Sequence, residues 1–185
     1  MLNDSLFEDT ISIIKNWTPE KQYSDEKGYH DDLIDVIRAN INQVNNTIFG
    51  RQNRVSVTKE NGRSLCDIGI NREIGIELKK DLNSKSKVDR LVGQIQGFKK
   101  DYQDLIIVLV GKTDKESLED IKSRISDLTR NTGFGFNREP RIRIIEKSSN
   151  RKDVAKKEIT KKNTSSQFPD ITNLNIKQFG LNLYR

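Results

Sequence analysis

Three residues carry a chemistry that their types and spacing define: Asp67, Glu77 and Lys79. Ser64 to Ile70 and Ile74 to Lys79 read as two short strands joined by the tight polar turn Asn71-Arg72-Glu73. Residues two apart on a strand share a face, so Glu77 and Lys79 project one way while Ile74, Ile76 and Leu78 project the other, into a core. A hairpin closing symmetrically about Arg72 sets Asp67 opposite Glu77. Facing carboxylates repel, and the pair makes physical sense with a cation between them. Oxygen-only ligation favours Mg2+, with Mn2+ as a substitute. Beside such an ion, Lys79 can orient an attacking water and offset charge developing on a phosphoryl group. The chemistry expected is therefore hydrolysis of a phosphodiester without a protein nucleophile.

Composition narrows the classes that could hold this constellation. The chain has 185 residues, a length expected to form one main domain. Its 33 Lys and Arg against 27 Asp and Glu give a net charge of +6, which favours a polyanionic partner. No stretch approaches the ~20 apolar residues of a membrane span, and acidic residues near Met1 stand where a secretory signal carries positive charge. No membrane association and a cytoplasmic, intracellular location are the expectations. A single cysteine, Cys66, and a single histidine, His30, exclude an intramolecular disulfide and Cys- or His-rich metal sites within one chain, leaving a hard, oxygen-bound ion. No Gly-x-x-x-x-Gly-Lys phosphate loop is present, which disfavours an enzyme of small phosphorylated metabolites.

The hairpin needs elements to hold it. Apolar periodicity predicts a short helix over 4–16, ended by Thr18-Pro19. A second helix is expected from Ser24, as N-cap, to about Val44, with Tyr29, Leu33, Ile37, Ile41 and Val44 along one stripe. Asn45, Asn46 and Gly50 punctuate before an alternating strand over 54–59 and a turn at Glu60-Asn61-Gly62-Arg63. After the hairpin, 84–102 reads as a helix through Val88, Leu91, Val92, Ile95, Phe98 and Tyr102. The unbroken run Leu105 to Val110 has the pattern of a strand covered on both faces, expected at the sheet's centre. A helix over 115–130, a connection through Gly133-Phe134-Gly135-Phe136 and a strand over 141–145 complete the pattern. Hairpin strands followed by alternating helix and strand predict an α/β fold, a mixed sheet with helices on both faces, over 1–146. Residues 147–185 form a basic, Asn-rich extension, with seven Lys or Arg against two acidic residues between Lys147 and Lys162.

At Cys66-Asp67, nine intervening residues, then Glu77-Leu78-Lys79, the sequence resembles the PD-(D/E)XK phosphodiesterase superfamily of restriction-endonuclease-like folds. The resemblance spans about Ser24 to Gly111 and includes the order of leading helix, hairpin, amphipathic helix and hydrophobic strand, with Cys66 in place of the nominal Pro. It implies a restriction-endonuclease-like mixed sheet, metal-dependent nuclease activity, Asp67 and Glu77 as Mg2+ ligands and Lys79 as the catalytic lysine. It further implies an acidic residue on the leading helix, for which Glu26 is the choice and Asp31 and Asp32 are competitors. A glutamine on the helix after the lysine strand is implied as well, and Gln94 and Gln96 both stand there. Gln94 followed by Phe98 is similar to the Gln-to-Tyr spacing of the RecB-like branch, but the leading helix lacks that branch's Gly-x-x-x-His arrangement, so the branch stays open.

Acidic-x-Lys also occurs at Asp25-Glu26-Lys27 and Asp120-Ile121-Lys122. Glu77 is set apart by its apolar strand, its hairpin partner and the helix that follows. His30, one turn from Glu26, reads as a packing or surface histidine, and Cys66 as a small buried hydrophobe. The function expected is DNA phosphodiester hydrolysis. The alternative is a catalytically inactive DNA-binding or protein-interaction module on the same fold. A homodimer is compatible with a two-stranded substrate, although no residue marks an interface.

Overall fold

The computed structural model describes residues 2–44, 55–59, 65–130 and 141–149. Outside them lie the start of the 54–59 strand, the Glu60 to Arg63 turn, the Gly133 to Phe136 connection and the basic stretch beyond Ser149. The described chain is α/β: α1 (Leu2–Asn16), α2 (Glu26–Val44), β1 (Val57–Lys59), β2 (Ile68–Ile70), β3 (Ile74–Lys80), α3 (Lys85–Phe98), β4 (Asp104–Val110), α4 (Lys115–Arg130) and β5 (Arg141–Lys147).

The five strands form one open mixed sheet in the order β1-β2-β3-β4-β5. β1, β2 and β3 pair antiparallel, whereas β3 with β4 and β4 with β5 pair parallel. Antiparallel neighbours can be joined by tight turns, but each parallel pair needs a crossover, which α3 and α4 provide. β4 is buried along all seven residues, as its unbroken apolar run requires. The middle strand is nevertheless β3, because the N-terminal meander adds two strands on its far side.

Alternation along the strands divides the core between two faces. Ile74, Ile76, Leu78, Ile106, Val108 and Val110 pack with α1 and α2 through Phe7, Ile14, Tyr29, Leu33 and Ile37. Leu105, Ile107 and Leu109 pack with α3 and α4 through Val88, Leu91, Ile95 and Ile121. Helices therefore cover both sides of the sheet. At the start of β4, Asp104 is 3% exposed and takes two bonds from the Arg141 guanidinium, at 2.8 and 2.6 Å, tying β5 to its neighbour. The same guanidinium lies 4.2 Å from the Phe7 ring centroid, linking that edge to α1.

Three local corrections follow. The cap of α2 is Asp25 rather than Ser24, because Asp25 Oδ1 accepts the Gly28 N–H at 2.9 Å, three residues into the turn. β2 is shorter than the 64–70 strand expected, starting at Ile68. β5 runs through Lys147, two residues past the 141–145 strand expected.

Candidate active site

The β2–β3 turn brings the site residues into register. Asn71 and Arg72 both take positive φ, 51° and 58°, and Glu73 N–H bonds Ile70 O at 2.9 Å. The two left-handed residues give a tight turn the twist that suits a hairpin, and Glu73 completes a three-residue loop between the paired Ile70 and Ile74. It centres the hairpin on Arg72, with Ile68 opposite Ile76 and Ile70 opposite Ile74. Asp67 lies one residue before β2, outside the ladder. Its Oδ2 accepts the Leu78 N–H at 2.8 Å, so a carboxylate takes the place of the main-chain acceptor that β2 no longer offers.

With Ile74, Ile76 and Leu78 on the α1/α2 side, Gly75, Glu77 and Lys79 face α3. Gly75 has to be glycine there: a Cβ would stand 2.6 Å from Cys66 Sγ and 2.9 Å from the Tyr102 ring. Cys66 is fully buried, as a small hydrophobe would be, and its thiol packs against the Gly75 position of β3.

Glu77 is buried, with 2% of its surface exposed. Lys79 Nζ lies 2.6 Å from Glu77 Oε1 and 3.2 Å from Glu26 Oε1. Glu26, the first residue of α2, accepts the Lys80 N–H through Oε2 at 3.0 Å. The leading helix thus delivers Glu26 to the site, while its competitors are committed elsewhere. Asp31 pairs with Lys59 at 2.6 Å, and Asp32 accepts the Glu20 N–H at 2.8 Å.

Burial pushes the Glu77 carboxyl up to about 7, the Asp67 charge adds to the rise, and Lys79 opposes it. Burial alone would lower the Lys79 ammonium, but Glu77, Glu26 and Asp67 outweigh it and hold Lys79 above its usual range. Lys79 is therefore the cation among three carboxylates. Among the described residues no three Asp, Glu, His or Cys side chains form a preformed metal-ligand group. The hydrogen bonds explain it: Glu26 is held through both oxygens by Lys79 and Lys80, and Asp67 by Leu78. Asp67 Oδ1 and Glu77 Oε2 keep no bond from the described residues. One such oxygen each from Asp67 and Glu77, with the Glu26 carboxylate alongside, makes a hard-oxygen donor set that fits a divalent ion.

The two glutamines separate. Gln94 lines a cleft of about 150 Å3 with Glu26, Lys79, Lys80, Leu82, Lys87 and Arg90. Its Oε1 is enclosed and unbonded. Gln96 is exposed and does not line this cleft, since two residues along a helix are turned about 200° apart. Sequence reasoning passed over His30, which is 6% exposed and places Nε2 2.9 Å from the Asp67 main-chain oxygen. The only signal available was its spacing of one turn from Glu26, which shows nothing of a carbonyl 37 residues later.

Comparison of the chain with protein-family models, with curated proteins and with solved structures found no match in any of the three. No described helix is long and apolar enough to cross a membrane.

Proposed function

We propose that the protein is a metal-dependent nuclease that hydrolyses DNA phosphodiester bonds on a restriction-endonuclease-like version of its α/β fold. The observation that carries this reading is the gathering of Glu77, Lys79 and Glu26 within ion-pair distance beside Asp67. Asp67 and Glu77 would hold Mg2+ or Mn2+, with Glu26 at the margin. When bound, the ion supplies Lewis acidity at a phosphoryl oxygen and lowers the pKa of water.

The chain's own groups do the rest. Asp67 and Glu77 leave one oxygen each for the ion, and the Leu78 N–H fixes the orientation of Asp67. Lys79, with three N–H donors on a flexible stem, can turn from Glu77 toward the attacking water or a non-bridging phosphate oxygen. Burial of Glu77 lowers the local dielectric and strengthens each of these interactions.

Purified protein should be incubated with plasmid, linear, single-stranded and branched DNA, with Mg2+ or Mn2+. Cleavage by wild type that Lys79→Ala abolishes is the expected result. If both proteins leave every substrate intact, the nuclease assignment fails and an inactive binding module takes its place.

A further inference from the structure

Four cations, Lys79, Lys80, Lys87 and Arg90, line the 150 Å3 cleft against the single carboxylate of Glu26. Their compensation is uneven. Lys79 is neutralised by Glu77 and Glu26, and Lys80 has Asp81 at 3.4 Å. Lys87 bonds only neutral acceptors, Asp81 O at 2.8 Å and Asn83 Oδ1 at 3.1 Å. Arg90 is exposed and has no hydrogen-bond or ion-pair partner among the described residues. The one carboxylate on α3, Asp89, is taken by Arg124 of α4 at 2.6 Å, leaving Arg90 uncompensated.

Lys87 and Arg90 are three residues apart and share a face of α3, and Gln94 follows one turn later. The first turn of α3 carries Lys85 and Lys87 and no acidic residue, the reverse of what a helix dipole favours. Helix stability therefore does not account for these lysines. Gln94 is not anchored through its Oε1, so its amide can turn N–H groups toward an anion.

We propose that Lys87, Arg90 and Gln94 form a phosphate-contact wall that grips the nucleic-acid backbone in the cleft beside Lys79. This assignment rests on the nuclease reading for its substrate, and it names the residues that grip it. The cleft is too small to enclose a whole nucleotide, since pockets for compact ligands run from about 300 Å3 upward. It suits one phosphate of a polymer whose remainder lies outside. Phosphate contacts of this kind give affinity and register but no sequence preference.

Binding can be separated from cutting by fluorescence anisotropy of a labelled duplex in EDTA. Lys87→Gln/Arg90→Gln should bind about tenfold or more weakly than wild type, with a log K against log salt slope shallower by about two. Lys115→Gln, an exposed position of α4 outside the cleft, should bind as wild type does. A double variant that keeps wild-type affinity, or a Lys115→Gln loss of the same size, overturns the wall. Inorganic phosphate or a mononucleotide at matched ionic strength should not displace the duplex; displacement by either makes this a small-anion site instead. If wild type never cuts yet binding depends on Lys87 and Arg90, the wall stands and the nuclease assignment falls. If wild type cuts and the double variant binds and cuts equally well, the reverse holds.

Discussion

Lys79 Nζ rests 2.6 Å from Glu77 Oε1 on the same face of β3, and the carboxylate it touches is 2% exposed. A charge taken that far from water costs several kcal/mol unless it is paired, so the ammonium two residues along is what lets Glu77 ionise at all. Glu26 shares that ammonium from the far side of the fold.

The carboxyl of Glu77 makes stability depend on pH in a stated direction. Its folded value, about 7, lies above the ordinary 4.5, so between the two the folded state keeps a proton that the unfolded chain has released. This contribution is full below about 4.5 and is lost as pH rises through 7, by up to about 3 kcal/mol. Glu77→Gln cannot titrate there, so urea denaturation in EDTA should show the variant gaining on wild type between pH 5 and pH 8. Parallel stabilities at both pH values would remove the raised Glu77 value.

Removing the ammonium should separate chemistry from stability. Lys79→Met keeps the stem and deletes the charge, and it should abolish cleavage and lower stability by about 3 kcal/mol at pH 8. At pH 5 the loss should be smaller, because Glu77 there keeps its proton with or without the ammonium and no buried charge is left unpaired. Lys79→Met/Glu77→Gln should recover much of the stability and none of the activity. Thermal melts of Glu77→Gln, Lys79→Met and the double variant read the first effect and plasmid nicking the second; single-variant losses that simply add up to the double variant's loss would show that the two side chains do not couple.

His30 is expected to position Asp67 rather than to touch the ion. His30→Ala frees the Asp67 carbonyl and should weaken Mn2+ binding about tenfold by calorimetry. His30→Gln, whose amide N–H can still donate, should restore part of the affinity. Equal Mn2+ affinity in His30→Ala and wild type would reduce His30 to a packing residue.

Much of the fold was legible because its causes are local. Tyr29, Leu33, Ile37 and Ile41 recur at helical spacing and are all buried on α2. The run from Leu105 to Val110 is buried throughout, as a strand covered on both faces must be. Even the hairpin register, Ile68 opposite Ile76, follows from symmetry about Arg72, since turn length alone fixes which residues face each other.

Periodicity and turn chemistry thus placed Asp67, Glu77 and Lys79 on neighbouring stretches and assigned the α/β class, because those signals act over a few residues. Tertiary packing alone decided that Glu77 would be buried against Lys79, that Asp67 would leave the ladder to hold Leu78, and that Gln94 rather than Gln96 would line the cleft. It also chose Glu26 over Asp31 and Asp32, through contacts with Lys79 and Lys80 made 53 and 54 residues away. Such contacts depend on how helices settle against the completed sheet, and no local pattern encodes a distance across it.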